Sequence, residues 1–82
     1  MSDRDEVRER IAVLLQPYNP GGISIDVHTD LVADLRIDSV AAMDLIMEIE
    51  ESFGIEIPIN LVPDLATVGD LISLVRERVG PP

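Results

Sequence analysis

Apolar residues recur with helical spacing in three stretches of the chain. Val7, Ile11, Leu14 and Leu15 fall at i, i+4, i+7 and i+8, which gives one apolar face with Arg and Glu on the others. Asp3 followed by Glu6 is a start signal, and Pro17 ends the run. From Ser39 the period returns, with Val40, Met43, Ile46, Met47, Ile49 and Phe53 as the apolar stripe. Gly54 stands where a left-handed glycine closes a helix. The third stretch opens on Thr67-Val68-Gly69-Asp70, a capping-box pattern with Asp70 in place of the usual Glu or Gln. Val68, Leu71, Ile72, Val75 and Val79 predict its buried face, and Gly80-Pro81-Pro82 terminates it.

The connections are less regular. Pro17-Tyr18-Asn19-Pro20-Gly21-Gly22 is loop, since two prolines and a glycine pair exclude a continued helix. Ile23-Ser24-Ile25-Asp26-Val27 alternates like a strand, but its only possible partner is Ile55-Glu56-Ile57, which runs into Pro58. Two such fragments make a marginal sheet. Both are therefore expected as extended loop, with the Ile and Val side chains plugging into a helical core. Residues 60–65 allow at most a short helical turn, because Pro63 lacks an N–H donor. The expectation is an all-α fold of three amphipathic helices plus a short fourth, with a long loop between the first and second. One domain spanning 1–82, without internal repeats, accounts for the length.

Composition narrows the chemistry. A chain of 82 residues buries only roughly 60% of its unfolded surface, which leaves little room for a deep, walled active site. The formal net charge of −10 disfavours nucleic acid and anionic membrane surfaces. The lack of Cys excludes a disulfide framework, thiol catalysis and thiolate metal sites. No apolar run approaches the roughly 20 residues that cross a bilayer, and Met1-Ser2-Asp3-Arg4-Asp5-Glu6 is not a signal peptide. A soluble, cytoplasmic, monomeric domain without membrane insertion is expected.

The charge is unevenly placed. The two ends of the chain together cancel, whereas residues 11–75 carry eleven acids (Asp26, Asp30, Asp34, Asp38, Asp44, Glu48, Glu50, Glu51, Glu56, Asp64, Asp70) against Arg36 alone. Asp44, Glu48 and Glu51 recur at i, i+4 and i+7 on one helix face, where like charges repel by a few tenths of a kcal/mol per pair. Helix stability does not explain them. They form either a solvated surface or a docking face for basic partners.

Few side chains could carry chemistry. His28 is the only imidazole, and a hydrolytic triad would need an activated Ser, an oxyanion hole and a cleft beside it. Asp26, His28 and Asp30 begin like a calcium loop, but Leu31 and Ile37 occupy the positions that require Gly and a bidentate Glu. No metal site is expected. Ser39, after Asp38 at the head of the acidic helix, reads from position alone as an N-cap hydroxyl.

The surrounding residues add to that reading. Asp34-Leu35-Arg36-Ile37-Asp38-Ser39-Val40, then Met43 through Pro58 with its Glu50-Glu51-Ser52-Phe53-Gly54-Ile55-Glu56-Ile57-Pro58 ending, then Thr67-Val68-Gly69-Asp70-Leu71, resemble the acyl carrier protein family. Residues 31–75 match closely, in the right order and spacing. The resemblance implies a small four-helix bundle that is not itself an enzyme. It places a 4′-phosphopantetheine arm, delivered from coenzyme A by a separate phosphopantetheinyl transferase, on Ser39, with acyl cargo held on the arm's thiol. It makes Asp38 an element of transferase recognition. It assigns Asp44, Glu48 and Glu51, with Val40 and Met43, to the face met by basic patches on acyl-loading and acyl-transferring enzymes. A core with Phe53 and Tyr18 as its only aromatics suits a bundle that opens between helices to shelter an acyl chain.

Three features depart from the family pattern. Arg36 stands where many relatives have Gly, Val40 replaces Leu, and residues 59–65 are apolar where housekeeping fatty-acid carriers are often strongly acidic. They point toward a specialised lipid or polyketide pathway, beside the fatty-acid synthesis that the resemblance implies. The rival from another class is an acidic interaction module, a decoy for a basic surface, in which Ser39 is only a helix cap.

Overall fold

The computed structural model describes residues 3–79, with side chains from Glu6 onward. Helix α1 spans Asp3–Leu15, α2 spans Ser39–Phe53 and α3 spans Val68–Val79. Two short 3-10 pieces, Gln16–Tyr18 and Ile59–Asp64, complete the helical content. The second, with Pro63 inside it, is the short fourth helix. The capping role of the Asp3 side chain and the stop at Gly80-Pro81-Pro82 lie outside the described residues.

Each long helix follows its apolar pattern inward. Val7, Ile11 and Leu15 of α1 are buried, as are Leu45, Ile46 and Ile49 of α2 and Val68, Leu71, Ile72, Leu74 and Val75 of α3. α1 packs against both other helices. Leu31, Leu35 and Ile37 from the long loop and Ile57 after α2 close the same aliphatic core.

Three expectations are corrected. In α2 the predicted stripe splits: Ile46 and Ile49 are buried and Phe53 packs against the core, but Val40, Met43 and Met47 are exposed and Leu45 is buried instead. At about 100° per residue, Val40 and Met47 lie across the helix from Ile49. The apolar stripe is wider than α1 and α3 can cover. In α3, Val79 is exposed and Leu74 takes a buried place. Of the alternating segment, Ile25 packs on the core while Ile23 and Val27 stay exposed. That segment forms no strand, and among the described residues the β pairing is one isolated bridge between Asp30 and Thr67.

That bridge shows how the long loop is anchored. Leu31 N–H donates to the Ala66 carbonyl, Val68 N–H to the Thr29 carbonyl and Gly69 N–H to the Val27 carbonyl, each at 2.9 Å. Thr67 and Asp70 form the capping box: Asp70 N–H donates to Thr67 Oγ1 at 3.2 Å, and Asp70 Oδ2 accepts from Thr67 N–H at 3.1 Å and Ala66 N–H at 3.0 Å. Leu71 N–H reaches the Thr67 carbonyl. All four leading N–H groups of α3, which a helix leaves without internal partners, are thereby satisfied. A Cβ on Gly69 would lie 2.8 Å from the Val27 carbonyl oxygen, so the motif's glycine permits this close approach.

Candidate functional site

The leading end of α2 is built differently. Asp38, extended at φ −84° and ψ −176°, is the N-cap, and its Oδ1 accepts from Ala41 N–H at 2.8 Å. Its carbonyl accepts from Ala42 N–H, also at 2.8 Å. Ser39 is therefore the first helical residue and not the cap, which corrects the N-cap reading. Its exposed hydroxyl makes no hydrogen bond to any described residue. The backbone N–H groups of Ser39 and Val40 likewise have no partner among the described residues. Two free donors and the positive end of the helix dipole thus face solvent beside a free hydroxyl.

Sequence and geometry explain this arrangement together. Asp30 Oδ1 accepts from Val32 N–H at 2.9 Å and Ala33 N–H at 2.7 Å, which winds residues 31–35 into a turn. Asp34 Oδ2 accepts from Asp30 N–H at 2.8 Å. Leu35 and Ile37 are buried on either side of Arg36, and Ile37 N–H donates to the Leu31 carbonyl at 3.0 Å. The turn gives way at Arg36, whose φ is +55°. The turn delivers Asp38 and Ser39 to the head of α2.

Ser39 stands at the edge of an apolar groove of about 380 Å³. The walls come from Leu31, Val32 and Ile37 of the loop, Ala42, Met43, Leu45 and Ile46 of α2, Leu71 of α3, and Ile59, Val62, Pro63 and Leu65. Among the described residues, Asp38 and Ser39 are the only polar ones lining it. Sequence reasoning singled out the apolar 59–65 segment without giving it a place. Its signal was a mainly apolar run with Asp64 as its one charge in an acidic protein, and the structure makes it one wall of this groove.

Nine of the eleven acids between residues 11 and 75 fall into two groups. Asp26, Asp30, Asp34, Asp38, Glu50 and Asp70 accept backbone N–H bonds in turns and caps. Asp44, Glu48 and Glu51 hold no such bond and are exposed on α2. By helical spacing they share a face with Val40, which is 72% exposed, and Met47, 56% exposed. Tyr18 lies near the same face: partial burial raises its phenol pKa above the ordinary value, and the charges of Glu48 and Asp44 raise it further. The structure brings Asp38, Ser39 and Met43 together around the groove, and sets Asp44, Glu48 and Glu51 along the exposed side of the helix. His28 is exposed, with its backbone N–H on Asp26. Among the described residues, no three His, Cys, Asp or Glu side chains gather as a metal site. None of the described helices is long and apolar enough to cross a membrane.

Three α-helices and a short 3-10 helix around an aliphatic core make this a small helical bundle of the acyl carrier type. Residues 5–75 match the family model described as the phosphopantetheine attachment site. The chain is similar to the acyl carrier protein of Tropheryma whipplei (strain Twist), at 37% identity over 75 residues that cover 88% of this chain and 89% of that protein. It is also similar to the acyl carrier protein of Helicobacter acinonychis (strain Sheeba), at 33% identity over 67 residues covering 82% and 86% of the two chains. The chain belongs to the phosphopantetheine-binding acyl carrier family. Its cofactor is covalently attached 4′-phosphopantetheine, and such proteins are carriers that work with a phosphopantetheinyl transferase and acyl-handling enzymes.

Proposed function

We propose that Ser39 carries the 4′-phosphopantetheine arm and that the protein, as one carrier domain over residues 1–82, shuttles acyl thioesters without catalysing their chemistry. The observation that carries this reading is the cap: Asp38 takes the N-cap bond that would otherwise occupy Ser39. The Ser39 hydroxyl is left exposed, unbonded and beside an apolar groove.

When attached, the arm supplies a terminal thiol that holds an acyl group as a thioester. The chain's own residues do the rest. Ser39 Oγ offers the attachment oxygen, and the free N–H groups of Ser39 and Val40 face the place where a phosphodiester would sit. Asp38 fixes the start of the helix and presents the acid that a transferase would recognise. The groove, within the roughly 300–1,000 Å³ range of ligand pockets, takes an aliphatic chain out of water. Asp44, Glu48 and Glu51, with Val40 and Met43, form the surface for enzymes bearing basic patches, where opposite charge speeds encounter without fixing the complex. Fatty-acid synthesis or a specialised lipid or polyketide pathway is the setting.

Incubation with coenzyme A and a broad-specificity phosphopantetheinyl transferase, followed by intact-mass measurement, tests this. One added arm on the wild type and none on Ser39→Ala is the expected result. A wild type that gains no mass removes the carrier reading and leaves an acidic interaction module. Loading an aliphatic acyl group should then shift the methyl resonances of Met43, Ile46 and Val62, and unmoved methyls would exclude the groove as shelter.

A further inference from the structure

We propose that Arg36 is a positioning residue for the phosphate group carried at Ser39. This rests on the assignment of Ser39 made above. Arg36 has φ +55°, the left-handed region that glycine enters freely and a side chain enters at a cost. The turn enforces that conformation, because Leu35 and Ile37 are both buried while the Leu35 and Ile37 N–H groups are held by the Asp30 and Leu31 carbonyls. Glycine would meet the backbone requirement without strain. Arginine adds a cation.

That cation has no partner among the described residues. Asp34 Oδ2 holds Asp30 N–H and Asp38 Oδ1 holds Ala41 N–H, and Arg36 makes no ion pair or hydrogen bond with any described residue. Pairing between Arg36 and Asp34, the simplest structural use for the cation, does not occur. Arg36 is also the only cation between residues 11 and 75, and it stands three positions before Ser39. A phosphodiester on Ser39 adds negative charge to the most acidic part of the chain. Guanidinium is the side chain best shaped to meet phosphate oxygens, with planar paired donors and permanent charge. The Ser39 and Val40 N–H groups supply directional donors, and Arg36 supplies the counter-charge. Strained residues persist where the surroundings over-determine them, and they gather at functional positions.

The test compares the arm-loaded forms of the wild type, Arg36→Gly and Arg36→Lys. The ³¹P resonance of the wild-type phosphodiester should be displaced from that of free pantetheine phosphodiester at low salt, and should return toward it as salt is added. Arg36→Gly should lose the salt-sensitive part of the displacement, leaving that due to the Ser39 and Val40 N–H groups, while keeping or raising the thermal midpoint, since strain is relieved. Arg36→Lys should restore part of it, which a purely structural role would not do. Identical ³¹P positions and salt responses in the wild type and Arg36→Gly would overturn the proposal while leaving Ser39 as the attachment point. A wild type that accepts no arm at all would overturn both.

Discussion

Arg10 of α1 lies 4.3 Å above the ring of Phe53 at the end of α2. The same guanidinium donates to the Ser52 carbonyl and, at 2.7 Å, to Ser52 Oγ. A cation thereby satisfies one of the orphan carbonyls at the negative end of α2, while Gly54, left-handed at φ 66°, donates to the Glu50 carbonyl. Arg10→Ala should lower unfolding free energy by about 1–3 kcal/mol through the lost cation–π contact and charged hydrogen bond. Arg10→Lys should recover only part, because ammonium lacks the planar fork. Denaturant titration checks both, and an unchanged midpoint in Arg10→Ala would show that this contact contributes nothing.

Asp70 links the fold to acid. The N–H groups of Ala66 and then Thr67 bond its carboxylate and lower its pKa below the ordinary 3.8, outweighing the opposing effect of desolvation. A carboxylate whose folded pKa is depressed stabilises the fold above its unfolded pKa and loses that contribution as pH falls through the folded value. Asp70→Asn should therefore be less stable than the wild type near neutral pH, and the gap should narrow below about pH 4. Thermal midpoints of the two proteins across pH 2–7 read this directly. A gap that stays constant into acid would mean the charge on Asp70 is irrelevant.

The capping box, the three helices and the Gly54 stop were all legible in the sequence, because each rests on local chemistry: period, hydroxyl and acid spacing, left-handed glycine. The exposure of Val40 and Met47 was not, since a wheel shows which residues are apolar but not how much of the wheel its neighbours cover. Ser39 was legible as a special position yet misplaced as a cap. Asp and Ser are both good caps, and only the backbone angles at Asp38 decide between adjacent candidates. The groove was not legible either, because its walls meet from four separate parts of the chain.

Gly69 carries a prediction of the same kind. Its Cα faces the Val27 carbonyl so closely that an alanine Cβ would sit 2.8 Å from that oxygen. Gly69→Ala should push the long loop off the start of α3, with a cost of about 1–3 kcal/mol for overpacking. Hydrogen exchange at the residue 69 and Val68 amides, bonded to Val27 and Thr29, should quicken. Unchanged exchange would mean the loop moves aside without losing its anchor.

Because the chain has Arg36 and Arg76 but no Lys or Arg between them, trypsin releases residues 37–76 as one peptide containing Ser39, Ser52 and Ser73. Fragmentation of that peptide after exposure to coenzyme A and a transferase locates the modification among the three. Every fragment that begins at Ile37 and includes residue 39 should carry the added mass, starting with the shortest. Added mass first appearing at Ser52 or Ser73, or none anywhere, would contradict Ser39 as the oxygen to which the arm is joined.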